Sequence, residues 1–538
     1  TPRTPLSNTL RTIRLVSTGK EGVIFNGLGD WLYEEMIFQS HVAHWWSPDG
    51  TRLLYASIND TLVPKMELPM FTGSPYPTSR TYHYPKAGEE NPVISLYVVN
   101  LNGPLHTIQM KRPDDHRIRS FYITMVKWAT STKLAVKWLN RAQNFSILSL
   151  CEATTGFCTK KHEDERETGL DRQNEAPLFS KDGLKLFFTS AVPQGGRGKF
   201  FHVSMATPQP NSTSETLQSI TSGSWDVTQL LAYNENTQLI YYVSTEEDPK
   251  RRHLYSAETV RPFTRLCLSC GVTDVCGFVS STFSHDTAFF LLHCKGPTHT
   301  HTHTHTHTHT HSHTVSLPFL SFLHSVSSIW RTLSLQILKP APFVNTAHYP
   351  LLLLVDGTPG GQAVTEKFQV DWATVLVSTL GVIAVRCDGR GSGSRGSEFI
   401  HTLDKEDQLN ALSILAKEPY IDKTRMGAFG QVYGGHITSL LLSSEASVLK
   451  CGAVFSPITD FRLYEKVHFQ HTAKFISGLI SGKANYSLQI YPDGGHFLHS
   501  EAVRRHFSQS LVHFFEECFR RSDDVIEDDP EEKNEVQG

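Results

Sequence analysis

Apolar runs in the first three hundred residues come in pairs, and each pair is joined by a short polar turn that follows an aromatic residue. The joints are Trp46-Ser47-Pro48-Asp49-Gly50, Trp128-Ala129-Thr130-Ser131-Thr132, Phe179-Ser180-Lys181-Asp182-Gly183, Tyr233-Asn234-Glu235-Asn236-Thr237 and Phe283-Ser284-His285-Asp286-Thr287. Their aromatic positions lie 82, 51, 54 and 50 residues apart. Flanking runs such as Leu53-Leu54-Tyr55-Ala56 and Leu186-Phe187-Phe188 are strand-like by composition. Such a period, with an aromatic strand, a tight turn and a second strand, is what four-stranded propeller blades produce, because each blade buries its faces only against its neighbours. The pattern predicts a partial β-propeller over 1–296. A β-sandwich with chance similarity does not explain three nearly equal spacings.

From Tyr349 the period changes. Leu351 to Val355 and Gly381 to Val385 read as buried parallel strands, Leu403 to Ala416 as an amphipathic helix, and Met426 to Phe429 as a strand leading into a glycine-rich turn. A second helix follows over about Ile437 to Ser443, then a strand at Asn485 to Tyr491 and a closing helix over Ala502 to Cys518. This order predicts an α/β-hydrolase domain over 336–521. Between the two regions, Thr298 to Thr314 alternates threonine and histidine, with eight histidines from His299 to His313. Imidazoles in such a tract bind transition metals. A CA dinucleotide repeat read in frame encodes the same alternation, so 297–335 reads as a low-complexity insert in which metal binding is incidental.

The chain has 538 residues, 39% hydrophobic and 19% charged, the mix of an ordinary globular protein with room for two or three domains. A formal charge of -3 without a basic stripe argues against nucleic acid as a partner. The acidic end, 522–538, reads as a solvated disordered tail. No run of eighteen apolar residues occurs, and Thr1-Pro2-Arg3 has neither an initiator methionine nor a signal-peptide pattern, as in a fragment of a longer chain. Nine cysteines include the short spacings Cys151 with Cys158, Cys267 with Cys270 and Cys276 with Cys294, which favour disulfides in strand-rich sequence over a four-thiolate zinc site. Sequons at Asn59, Asn144, Asn211 and Asn485 agree with an extracellular setting.

The turn after Phe429 reads Gly430-Gln431-Val432-Tyr433-Gly434, a nucleophile elbow with valine at its centre. Valine has no lone pair with which to attack a carbonyl. His496, in Tyr491-Pro492-Asp493-Gly494-Gly495-His496, falls where the base of the chain order Ser, Asp, His belongs. Asp388-Gly389-Arg390-Gly391-Ser392-Gly393 lacks dinucleotide and Walker spacing and reads as a tight loop beside the site's mouth. No cofactor is implied.

These motifs resemble the dipeptidyl peptidase IV branch of the prolyl oligopeptidase serine peptidases over nearly the whole chain apart from 297–335. Asp30-Trp31-Leu32-Tyr33-Glu34-Glu35 resembles the double-glutamate segment that binds the substrate's amino terminus in active members. The resemblance implies an eight-bladed propeller followed by the hydrolase domain, with a cytoplasmic tail, one anchor and further blades ahead of Thr1. It is nearest to catalytically silent members, in stretches such as Trp138-Leu139-Asn140-Arg141-Ala142-Gln143-Asn144 and Gly482-Lys483-Ala484-Asn485-Tyr486-Ser487. It implies disulfides Cys151–Cys158, Cys267–Cys270, Cys276–Cys294 and Cys451–Cys518, with Cys387 left over. It puts Asp356 where active members hold an oxyanion-stabilising tyrosine, a position at which a carboxylate repels the developing charge. Several dozen residues that carry the triad acid are missing between Tyr464 and Val467. The expected function is that of a single-pass type II plasma-membrane glycoprotein, an auxiliary subunit of A-type voltage-gated potassium channels. Its expected partners are the pore subunits, their cytosolic calcium-binding auxiliaries and a second copy of itself. A serine-type dipeptidyl aminopeptidase cleaving after proline or alanine is the alternative.

Overall fold

The computed structural model describes residues 14–70, 73–208, 215–271, 276–296, 325–328, 331–355, 359–400, 406–445, 447–460, 469–491, 498 and 500–520. All five repeated turns close β-hairpins. In the first, Ser47 Oγ donates to Asp49 Oδ1 at 2.6 Å and accepts from Arg52 N at 2.9 Å. Ser180 with Asp182 and Lys185, and Ser284 with Asp286 and Phe289, repeat both bonds. In the other two turns Thr130 Oγ1 accepts from Lys133 N and Asn234 Oδ1 from Thr237 N. Side-chain acceptors of this kind stabilise a tight turn by satisfying its free amides.

Strands flanking these turns assemble into successive antiparallel sheets. The first contains Ile24–Asn26, His44–Trp46, Arg52–Asn59, Val93–Asn100 and His106–Gln109. The next three have four strands each: Phe121–Trp128 to Cys158–Glu165, Leu178–Phe179 to Glu215–Ser219, and Val227–Asn234 to Arg265–Cys267. The hairpin Val279–Phe283 with Phe290–Cys294 follows. The first spacing, 82 residues instead of about fifty, is long because the first blade throws out an extra hairpin, Lys65–Met70 with Thr78–His83, between its strands. Neighbouring blades share their cores. Tyr33, Leu54, Val136 and Trp138 pack between the first two, and Phe187, Val203, Ile240 and Tyr242 between the third and fourth.

The second unit is a six-stranded sheet in the order Ser325–Ser328, Arg331–Leu338, Ile383–Asp388, Tyr349–Val355, Ile421–Gln431, Cys451–Phe455. Its last four strands are parallel. Strand alternation explains the layering. Leu351, Leu353 and Val355 face the helices Glu406–Leu415 and Tyr433–Leu442, while Leu352 faces Trp372–Leu380 and Glu501–Phe519.

Two expectations change. The low-complexity insert ends earlier than 335, because Arg331–Leu338 pairs antiparallel with Ile383–Asp388 and buries Leu333 and Leu335 in the hydrolase core. The Thr-His tract and the acidic tail lie outside the described residues. Asn485 to Tyr491 is not a strand; it has no ladder pairing, and Tyr486, Leu488 and Ile490 are exposed. Its alternation suits a sheet edge. Among the described residues, however, the sheet ends at Cys451–Phe455, and no strand stands next to it to receive another.

Propeller and hydrolase sheet are tied by polar contacts, one of them buried. Asp226, 3% exposed, accepts from Phe201 N at 2.8 Å within the propeller and from Gly396 N at 2.9 Å across the boundary. Arg251 pairs with Glu366 at 3.0 Å, and Arg252 Nη2 donates to Gln362 Oε1 and Ser394 Oγ.

Four disulfides form: Cys151–Cys158, Cys267–Cys270, Cys276–Cys294 and Cys451–Cys518. Cys387 is free and buried. The Cys451–Cys518 bridge spans 67 residues and fastens the closing helix to the edge strand. Closing a loop of that length restricts the unfolded chain by about 4 kcal/mol. Replacing both cysteines by serine is expected to lower stability by about 2–4 kcal/mol, read as a fall in the denaturant midpoint of the hydrolase unit.

Candidate functional site

At the elbow, strand Ile421–Gln431 turns directly into helix Tyr433–Leu442, and Val432 sits between them at φ 52°, ψ -112°. That conformation is costly for a β-branched residue. The surrounding glycines enforce it. A Cβ on Gly430 would stand 2.1 Å from the Gly434 carbonyl oxygen, and one on Gly435 would press on Pro457 at 3.1 Å. Val432 N donates to Phe455 O at 2.9 Å, and Val432 O accepts from His436 N and Ile458 N, both at 3.2 Å. The turn therefore has the strained strand-turn-helix geometry of a nucleophile elbow, with the isopropyl group of valine at its centre.

Around it the polar side chains serve the fold. Asp388, 2% exposed, accepts from Ala363 N and Val364 N. Arg390 is held by Asp407 through two charge-assisted bonds of 2.9 Å. His436 Nδ1 meets Ile458 O at 2.9 Å, and burial lowers its pKa. Burial in apolar surroundings pushes the Cys387 thiol well above its ordinary range, which makes it inert. Val355, the residue before Asp356, pairs with Gly430 of the elbow. Asp356 itself, His496 and Asn211 lie outside the described residues.

The double glutamate lies in the first blade, in the single π-helical turn Tyr33–Ile37, inserted where one edge strand is split into Ile24–Asn26 and His44–Trp46. Tyr33 anchors the turn, fully buried, its hydroxyl accepting from Ile123 N of the second blade. Asp30 caps it, accepting from Leu32 N and Tyr33 N, both at 3.1 Å. Glu34 is exposed and Glu35 half-buried. Beneath them lies a feature missed at the sequence level, the buried pair Asp30 and Asp60, each 2% exposed. Burial raises the Asp30 pKa to about 6, with the Glu34 charge adding to the effect. Burial and then the Asp30 charge raise Asp60 to about 8. Asp60 belongs to the sequon Asn59-Asp60-Thr61, which concealed it.

Of the sequon asparagines, Asn59 and Asn485 are exposed and Asn144 is half-buried in a hairpin turn. His253, Cys267 and Cys270 bring ligand atoms within 4.8 Å of one another, but the sulfurs are joined to each other and leave no thiolate pair for a metal.

A propeller stacked on an α/β-hydrolase sheet, with the elbow on the sheet, defines the architecture of a propeller-bearing serine peptidase. Residues 5–301 match the dipeptidyl peptidase IV (DPP IV) N-terminal region, and residues 368–467 and 465–522 match the prolyl oligopeptidase family. The chain is 42% identical over 599 residues to inactive dipeptidyl peptidase 10 of Mus musculus, covering 97% of this chain and 73% of that one. It is 28% identical to dipeptidyl peptidase 4 of Sus scrofa, covering 95% and 76%. A crystal structure of Porphyromonas gingivalis dipeptidyl peptidase 4 superposes with a TM-score of 0.78 at 22% identity, over 94% of this chain and 78% of that one. The chain belongs to the prolyl oligopeptidase family and, within it, to the inactive dipeptidyl peptidase-like members.

The aspartate pair gives a pH dependence. A carboxyl whose folded pKa is raised above 3.8 stabilises the fold fully below that value, and the contribution is lost as pH rises, through about 6 for Asp30 and about 8 for Asp60. Asp60→Asn is expected to flatten the fall in melting temperature between about pH 5 and 8 and to stabilise the protein at pH 8 by about 1–3 kcal/mol, the scale of an unsatisfied buried group.

Proposed function

We propose that this chain is the extracellular part of a non-catalytic auxiliary subunit that modulates the surface expression and gating of A-type voltage-gated potassium channels. The observation that supports the loss of catalysis is Val432 in the elbow's strained position, held there by its backbone hydrogen bonds and unable to attack. Asp356, in the oxyanion position by resemblance, and the absence of a segment for the triad acid around 465 support the same reading. The family match is itself in two pieces that meet at 465–467. The alignment of 599 residues also exceeds the 538 of this chain, so relatives carry residues with no counterpart here.

The channel role rests on resemblance to silent members of the branch. It brings the pore subunits and their cytosolic calcium-binding auxiliaries as partners, a homodimer as the assembly, and a type II plasma-membrane placement. Glycans at Asn59, Asn144, Asn211 and Asn485 belong to the same reading. The retained Glu34 and Glu35 favour the alternative, a dipeptidyl aminopeptidase, but a remnant of the substrate-binding segment needs no nucleophile to persist.

Purified protein is expected to leave a Gly-Pro chromogenic substrate uncleaved and to resist fluorophosphonate labelling. Val432→Ser is expected to remain several orders of magnitude below an active peptidase, since a lone serine lacks its partners; measurable turnover in that variant would sink this reading of the site. Co-expression of the full-length protein with an A-type pore subunit is expected to change current density or inactivation. Unchanged currents would overturn the channel role and leave the pseudoenzyme reading intact.

A further inference from the structure

Strand Lys133–Asn140 of the second blade alternates between two cores. Leu134, Val136 and Trp138 face the first blade, so Ala135 and Lys137 face the third. Lys137 lies opposite Leu148 on one side and Met125 on the other, and both belong to the apolar cluster shared with Leu186 and Phe188. An apolar residue is expected there. Instead a lysine stands there, the residue only 8% exposed. Among the described residues Lys137 has no hydrogen-bond acceptor, and no carboxylate stands within the 4.0 Å of an ion pair. The nearby acids are otherwise engaged: Asp164 accepts from His162 at 3.0 Å, and Glu175 is bound by Arg172 and Thr189. Burial lowers the lysine's pKa, opposed in part by attraction to Asp164 and Glu175.

Lys137 lines a cavity of about 300 Å³, the lower end of the size of small-molecule sites. Leu148, Pro177, Phe188 and Leu230 give it an apolar wall, His162, Thr189, Thr228 and the Arg172-bound Glu175 complete the lining, and the exposed Ala176 and Gln229 stand at its rim. The elbow and the double glutamate contribute nothing to it. We propose that this inter-blade cavity binds a small amphipathic carboxylate, its carboxylate on Lys137 Nζ and its apolar body against Leu148, Phe188, Pro177 and Leu230. Lys137 supplies the attraction, Arg172 offsets the charge of Glu175, and the remaining repulsion from Asp164 and Glu175 weighs twice as heavily on a phosphate dianion as on a monoanion. The apolar wall suits a hydrocarbon or aromatic body in place of an inorganic ion.

The test uses the full chain, titrated by calorimetry and thermal shift with benzoate and hexanoate against benzyl alcohol and hexan-1-ol. The carboxylates are expected to bind and raise the melting temperature, with the alcohols at least about tenfold weaker, the scale of a lost charge-assisted hydrogen bond. Lys137→Met is expected to erase that preference while melting no lower than the parent without ligand, because it removes a buried unpaired charge. Ala176→Trp, at the exposed rim, is expected to weaken both ligand types by narrowing the entrance, and it decides the matter if Lys137→Met does not fold. No binding of either carboxylate by the parent, or undiminished binding after Lys137→Met or Ala176→Trp, would overturn the proposal.

Discussion

A sheet with two apolar faces is stable only when something stands against each of them. Most of this molecule follows from that constraint. The second blade illustrates it: Val136 and Trp138 point one way into the core of the first blade, Ala135 the other way towards the third. Where the neighbour is lacking among the described residues, apolar side chains remain in solvent. Phe289, Phe290 and Leu291 are exposed by 69%, 42% and 42% on the last propeller hairpin. The same holds beside the hydrolase sheet, where Tyr486, Leu488 and Ile490 keep the alternation of a strand and have no ladder to join. Their sequence is that of a sheet edge; their surroundings are not.

Most of the propeller was legible because its turns carry their own chemistry. Ser47, Ser180 and Ser284 each bind an aspartate two residues on, so the local sequence alone closes the hairpin. The parallel strands were legible from continuous apolar runs such as Leu351 to Val355, whose successive residues serve opposite faces of the sheet. What escaped depends on partners distant in sequence. Arg331–Leu338 was hidden in a low-complexity stretch, and only its pairing with Ile383–Asp388 makes it a strand. Asn485 to Tyr491 had the right pattern and lost its place for lack of a neighbour. At the candidate site, Val432 could be read from the elbow's glycines. Asp30 and Asp60 could not be read as a pair, since nothing in either neighbourhood announces the other.

The elbow also separates architecture from chemistry. A strained backbone is tolerated at catalytic centres where the surrounding structure over-determines it. Here the strain remains around a residue that cannot react, because its cause is the packing of Gly430 against the Gly434 carbonyl and of Gly435 against Pro457. Relaxing the turn would mean rebuilding the junction of strand and helix that carries Phe429, Ile437 and Leu441 into the two hydrolase cores.

Asp226 reaches furthest. One oxygen of its carboxylate belongs to the propeller through Phe201, and the other to the hydrolase unit through Gly396, 170 residues later in the chain. Desolvating that carboxylate is tolerable only when both amides are in place. The fourth blade therefore cannot complete its own polar interior until the second unit has formed, and the reverse holds for the loop at Gly396. Two units that look separable by architecture share one buried carboxyl group as a common checkpoint, so their melting should follow a single transition and a chain stalled between them should look, to the cell, unfinished at both ends.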